Sequence, residues 1–231
     1  MSDCRLGVLA LGDSITNGGG ELQRGVALQS WALWVARGLA LPYTGHAVDG
    51  ARIADVVRDQ LPRLDHRRYD LGCLYAGVND VRAPDWDAAA FARDYATALA
   101  ALAERCDRLL VVTIPLDLGR PRAGAVVEEA NAVIEAAARA HAAVVLDLRR
   151  FGARNLVMTD HVHPTAFGQV WIAERALAVL GMDVRVPPAS LIAPAERTRI
   201  RALQGDWTYT YRRLKVAARE LRHAAAARRA A

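Results

Sequence analysis

Five short apolar runs, separated by stretches of helical periodicity, constrain this chain more than any other feature. Leu6 to Leu11, Tyr43 to Val48, Asp70 to Tyr75, Arg108 to Ile114 and Ala143 to Leu148 are each the length of one buried strand. Between them apolar residues recur at spacings of three and four. Trp31, Trp34, Val35 and Leu39 mark a helix over 26–39, and Ile53, Val56, Val57 and Leu61 mark a second. Phe91, Tyr95, Leu99 and Leu102 mark a third, and Val127, Ala130, Val133, Ile134 and Ala137 a fourth over 126–141. Strands that far apart cannot pair as hairpins and need helical crossovers, which make a parallel sheet. The predicted fold is α/β, a three-layer α/β/α arrangement around a five-stranded parallel sheet. A last helix through Phe167, Val170, Trp171 and Leu177 starts near Pro164 and ends at Gly181. No internal repeat exists beyond the alternation itself.

In such a sheet the ligand crevice lies beyond the carboxyl ends of the strands, so the residues that end each run are the ones to inspect. The first run stops at Gly12, with Asp13, Ser14 and Thr16 following at once, so a serine sits on a tight turn at the crevice. Gly50 ends the second run and Asn79 follows the third. Asp160 and His163 lie beyond the fifth, three residues apart. Acyl transfer requires a nucleophile, a base, a group that orients the base and donors for an oxyanion. Ser14 supplies the first, His163 the second and Asp160 the third. The N–H groups of Ser14 and Gly50 with the Asn79 amide supply the fourth. Each residue alone has a plainer reading: caps for Asp13 and Ser14, a turn for Gly50, a helix entry for Asn79 and Asp80, a surface histidine for His163. Their occurrence in order at successive strand ends favours the catalytic reading.

The motifs GDSIT around Ser14, GVND at Gly77 to Asp80 and DHVHP at Asp160 to Pro164, with Gly50 between, resemble the four blocks of the SGNH hydrolases, also called GDSL esterases and lipases. The resemblance covers roughly Leu6 to Leu180. It implies a flavodoxin-like sheet and a serine esterase without metal or cofactor. In that pattern Ser14 is nucleophile and oxyanion donor, Gly50 and Asn79 are further donors, His163 is base and Asp160 its partner. Asp49 departs from the small neutral residue that often precedes the glycine, and its carboxylate is expected to point away. The G-x-S-x-G elbow of ordinary α/β-hydrolases is absent, as the resemblance requires. The implied substrate is a small carboxylic ester. A carbohydrate O-deacetylase, a lysophospholipase or thioesterase, and a catalytically idle binding module that docks through its basic tail are the alternatives.

Neighbouring residues receive structural roles. Asp13 and Asp80 are expected to tie loops together, His161 to be solvated, His46 to lie on the second strand and Cys73 to be a buried strand residue. Gly18 to Gly20 match no phosphate-binding spacing and read as a flexible lip of the pocket. Arg52 and Arg82 read as surface residues rather than pocket residues. The loop from Pro115 to Ala123, with Leu116, Leu118 and Arg120, reads as a partly apolar pocket wall.

Charge divides the chain. From Arg185 to Ala231 there are eleven Arg and Lys against three acids, a net of +8, which leaves −3 for the rest of a chain totalling +5. The expected division is a hydrolase domain over 1–184 and a basic, helical C-terminal extension over 185–231, joined at the Pro187-Pro188 linker. Ala195 to Leu203 reads as a short helix, and Asp206 as the cap of a longer one whose stripe is Tyr211, Leu214, Ala218, Leu221 and Ala225. Packing across the body or against a second copy of the chain is the first expectation for it. Contact with anionic lipid comes second, and nucleic acid is disfavoured. Comparable basic extensions occur in some bacterial members of the family. Cys4, Cys73 and Cys106 have neither paired spacing nor an even count, which argues against a disulfide framework or zinc cluster. No signal-like or membrane-spanning run is evident, and a cytoplasmic location is expected.

Overall fold

The computed structural model describes residues 5–23, 26–119, 123–153 and 155–191, together with Trp207, Thr210, Tyr211, Leu214, Lys215 and Ala218. Strand β1 (Val8–Gly12) is central and buried at every position. Parallel to it lie β2 (Tyr43–Gly45) on one side and β3 (Tyr69–Tyr75) on the other, followed outward by β4 (Cys106–Val112) and β5 (Val144–Leu146). The order β2-β1-β3-β4-β5 is the flavodoxin-like one, with the direction of winding reversing between β1 and β3. The strands pair in simple parallel register, Val8 with Leu71 and Gly12 with Tyr75. A crevice at the carboxyl ends of β1 and β3 follows from that reversal.

Helix α1 (Trp31–Leu39) packs against α6 (Ala166–Leu180) on one face of the sheet. The other face carries α4 (Ala88–Ala103) and α5 (Ala123–Ala140), with the short α2 (Ile53–Asp55) beside α4. Helix α1 starts five residues later than its apolar period suggests, because the Ser30 hydroxyl accepts the Ala32 amide and caps the helix there. It ends at Ala40, in the left-handed conformation, two residues before Pro42. Trp31 and Trp34 are core residues, and burying each contributes on the order of 2 kcal/mol.

Several expectations about detail change. Strand β2 is only three residues long, so His46 lies beyond it, although its amide still bonds the Ala10 carbonyl. The second helix is not uniform: α2 continues as a π-helical turn (Val56–Gln60) and a 3₁₀ turn (Leu61–Arg63). Residues after Gly77, read as loop, form a one-turn helix α3 (Val78–Arg82). Pro164 precedes the last helix rather than opening it, because Thr165 is its cap and accepts the Gly168 amide.

The segment after α6 does not leave the body at Pro187. Amides of Arg185 and Val186 bond the Gly38 carbonyl at 2.8 and 3.1 Å, and that of Ala189 bonds Glu174 at 2.7 Å. A 3₁₀ turn (Pro188–Leu191) with Pro188 buried then follows. Trp207, Thr210, Tyr211, Leu214, Lys215 and Ala218 are helical. Trp207, Tyr211 and Leu214 expose 74, 52 and 66% of their surface, so these three side chains are not packed across the body. The Ala195 to Leu203 helix, the Asp206 cap, Leu221 and Ala225 lie outside the described residues. Among the described residues no helix is long and apolar enough to cross a membrane.

Candidate active site

The four loops at the carboxyl ends of the strands converge. Ser14, on the turn after β1, places its Oγ 2.8 Å from Nε2 of His163, 149 positions away in sequence. The other ring nitrogen, Nδ1, lies 2.6 Å from Asp160 Oδ2, while Asp160 Oδ1 accepts the amides of Val162 and His163 at 2.9 and 3.0 Å. Those two amides fix the carboxylate's rotation, so Oδ2 is left to face the imidazole. A carboxylate can only accept there, which keeps a proton on Nδ1 and leaves Nε2 to accept from the Ser14 hydroxyl.

The electrostatics agree with that arrangement. The hydrogen bond that His163 donates to Asp160 raises the His163 pKa above its ordinary 6.5, against burial and the positive charge of Arg82. Burial pushes Asp160 upward, but the bonds from the imidazole and the two amides outweigh it and hold the carboxyl below the usual range. Arg82 is half-buried, and its positive charge opposes the imidazolium.

Gly50 adopts φ +76°, with open space where a Cβ would project. Among the described residues no acceptor is hydrogen-bonded to its N–H or to that of Ser14, so both remain free to donate to a ligand. Asn79, in the first turn of α3, donates one amide hydrogen to the Ala51 carbonyl at 3.0 Å, which ties it to the Gly50 loop. Its primary amide carries a second. Asp49 accepts from the Asn17 side chain at 2.9 Å, so its carboxylate is tied to the turn after β1.

Beneath these loops lie two buried carboxyls. Asp13 Oδ1 accepts the Ile15 amide, while Oδ2 has no hydrogen-bond partner among the described residues. Burial pushes Asp13 up to about 7, opposed by the Ile15 bond and the charge of His163. Asp80 accepts the Ile53 amide on both oxygens at 3.2 Å, and burial pushes it up to about 6. Asp80 holds two loops together, as expected, whereas the Asp13 bond stays within its own turn.

Arg52 pairs with Asp85 at 3.0 Å on the surface, as its reading as a surface residue had it. Other readings need correction. His161 is not simply solvated: its Nδ1 lies 3.1 Å from Asp117, which joins the loop after β4 to the loop carrying His163. Leu118 is buried and belongs to the core rather than to a pocket wall, Leu116 is half-buried, and Arg120 lies outside the described residues. The Gly18 to Gly20 lip is braced, with Gly19 N–H on the Ser14 carbonyl and the Gly19 carbonyl held by Gln169. Cys73 is buried on β3 with its thiol pKa raised by burial, as expected. A separate cleft of about 520 Å³ opens beside Gly50, and its walls include Asp49, Asp55, Arg58, Asp59 and Arg63.

Two buried amides escaped the sequence reading. Gln169 on α6 accepts the Trp31 amide and donates to the Ile15 and Gly19 carbonyls, bracing the turn that carries Ser14. Gln60 does the same for Gly12. Each occupies a position in an apolar stripe, Gln60 after Ile53 and Val56, Gln169 beside Val170 and Ala173. A polar residue on a buried helical face is the signal that would have found them.

A family model for the GDSL-like lipase/acylhydrolase family matches residues 10–171, well over half of the chain, and spans all of these loops. The chain belongs to that family. It is accordingly an ester hydrolase. No curated protein matches it. Solved structures share the fold at low identity. One is an α/β hydrolase enzyme from the metagenome of Lake Arreo, Spain, 18% identical over 75% of this chain and 94% of that one, with a TM-score of 0.62. Another is an acetylxylan esterase from Geobacillus stearothermophilus, 18% identical over 79% of this chain and 99% of that one, with a TM-score of 0.60.

Proposed function

We propose that this family member cleaves carboxylic esters through an acyl-enzyme on Ser14. His163 is the base, Asp160 orients it, and the N–H groups of Ser14 and Gly50 with the Asn79 amide receive the oxyanion. The observation that carries the reading is the continuous series from Ser14 Oγ through His163 to Asp160 at 2.8 and 2.6 Å. Further support comes from the Geobacillus esterase, in which an aspartate and a histidine three positions apart are the residues replaced in two variants described as catalytic mutants. Asp160 and His163 have the same spacing.

In this mechanism Ser14 Oγ attacks the ester carbonyl carbon as its proton passes to His163 Nε2. The carbonyl π electrons move to oxygen, which becomes the oxyanion facing the three donors. Collapse re-forms the carbonyl and breaks the C–O bond to the alcohol, which leaves with the proton from Nε2. Water then attacks the acyl-Ser14 carbonyl while Nε2 takes its proton. The second collapse releases the acid and returns the proton to Ser14.

The test is hydrolysis of p-nitrophenyl acetate, butyrate and octanoate by the wild type and by Ser14→Ala. Turnover that disappears in the variant is expected, and the dependence on chain length maps the acyl site. A normal rate from Ser14→Ala refutes the nucleophile.

A further inference from the structure

Gln60, one of the two buried amides that brace the turn carrying Ser14, has no place in the mechanism above. Along β1 the backbone groups of alternate residues face β2: Val8 N–H bonds the Pro42 carbonyl, and the Ala10 carbonyl accepts His46 N–H. By that alternation the N–H and carbonyl of Gly12 face the same way, but β2 has already ended at Gly45. Gln60 fills the gap. Gly12 N–H donates to Gln60 Oε1 at 3.0 Å, and Gln60 Nε2 donates to the Gly12 carbonyl at 2.8 Å. A primary amide has the same donor and acceptor pair as a peptide group, so Gln60 supplies the acceptor that β2 no longer offers to Gly12 N–H and adds a donor to the Gly12 carbonyl.

We infer that Gln60 is a positioning residue for the esterase reaction, setting the nucleophile turn and the Gly50 loop in register with each other. This inference rests on the mechanism proposed above. The Gly12 carbonyl is shared, because it also accepts Val48 N–H at 3.1 Å, and the Val48 carbonyl accepts Ala51 N–H at 3.2 Å to close the turn containing Gly50. One peptide therefore joins Ser14, two residues away on its own turn, to the turn that presents the Gly50 N–H. Gly12 has φ +149°, and an added Cβ would stand 2.1 Å from the Tyr75 carbonyl, so the peptide is also pressed against β3. Gln60 is fully buried at the end of the π-helical turn Val56–Gln60, whose wide 1→6 bond runs from Leu61 N–H to the Val56 carbonyl. Turns of that kind are uncommon and concentrate at functional sites.

The experiment compares wild type, Ser14→Ala, Gln60→Met and Gln60→Glu on p-nitrophenyl acetate. Gln60→Met keeps the length of the side chain and removes both hydrogen bonds. Its kcat is expected to fall on the order of 10- to 100-fold, the scale of a small misplacement of reacting groups, with KM changed by less than about twofold. Gln60→Glu separates positioning from mere packing. Its carboxylate form accepts from Gly12 N–H but repels the Gly12 carbonyl, whereas its neutral acid restores both a donor and an acceptor. The ratio of its kcat to that of wild type is expected to rise about tenfold or more as pH falls from about 8.5 to 5.5, since burial pushes such a carboxyl upward. Taking the ratio cancels the titrations of His163, Asp13 and Asp80 common to both proteins. If Gln60→Met does not fold, as judged by circular dichroism, the Gln60→Glu ratio decides. An unchanged kcat in Gln60→Met, or a flat ratio for Gln60→Glu, overturns the positioning role while Ser14-dependent turnover stands. Turnover that survives Ser14→Ala, or no turnover at all, refutes the mechanism and the role of Gln60 with it.

Discussion

Replacing Asp160 by asparagine is nearly isosteric, and the geometry predicts that it is as damaging as removing the side chain. The amides of Val162 and His163 both donate to Oδ1, at 2.9 and 3.0 Å. In the variant only the carbonyl oxygen of the new amide can occupy that place, which turns its NH₂ toward His163 Nδ1. An N–H aimed at Nδ1 forces that nitrogen to accept, moves the ring proton to Nε2 and points it at the Ser14 hydroxyl. The base then has no lone pair where the proton must go. By the same tautomer argument in other serine-histidine-aspartate sites, kcat/KM should fall on the order of 10⁴-fold, about 5.4 kcal/mol of transition-state stabilisation. Loss of the Asp160 bond, the largest influence raising the His163 pKa, should also move the residual activity's acid limb to lower pH. The assay is p-nitrophenyl acetate hydrolysis as a function of pH for wild type, Asp160→Asn and Asp160→Ala. An Asp160→Asn variant that keeps a tenth or more of wild-type activity, or clearly exceeds Asp160→Ala, would refute the reasoning.

Wild-type kcat/KM should rise with pH through a pKa above 6.5, because His163 is the active base only when neutral and its partner favours the protonated form. An acid limb centred below pH 6 would contradict this. Asp13 has a folded pKa raised to about 7 from 3.8, so the native state binds the extra proton between those values. Its contribution to stability is present below the lower value and lost as pH rises through the upper one. Asp13→Asn should therefore stabilise the fold relative to wild type at pH 8, by up to about 4 kcal/mol or roughly 8–16 °C in Tm, and give no such gain near pH 4, as differential scanning fluorimetry can read. Gln169→Leu strands the Trp31 amide and the Gly19 carbonyl in the interior and leaves the Ile15 carbonyl with the Gly18 N–H at 3.3 Å. A loss of about 3 kcal/mol is expected by urea unfolding, and a loss under about 1 kcal/mol would mean that the turn does not depend on it.

What could be read in advance divides along physical lines. The sheet was legible because Leu9, Leu11, Leu71 and Val111 belong to runs that only a strand buried on both faces can use. The convergence of Ser14, Gly50, Asn79 and His163 followed from topology, since successive strand ends meet at one edge. Spacing could not show what depends on side-chain direction. Asp117 and His161 are 44 positions apart, and nothing local marks them as partners. Arg82 acts on His163 through a field, which leaves no trace in periodicity. Leu118 sits in a loop with Pro115 and Gly119, where polarity misleads because the loop folds its leucine inward. Gln60 and Gln169 were hidden by being counted as gaps in apolar stripes, although each is the polar group that a buried strand end or turn requires.

The account's central claim is that Ser14 is the nucleophile activated by His163. Its most direct test is labelling of the full chain with a fluorophosphonate, followed by peptide mapping on wild type and His163→Ala. The account predicts a single adduct on the peptide containing Ser14, formed rapidly in wild type and on the order of 10³-fold more slowly, or not at all, without the histidine. An adduct on another residue, or equal labelling of Ser14 in both proteins, would contradict it.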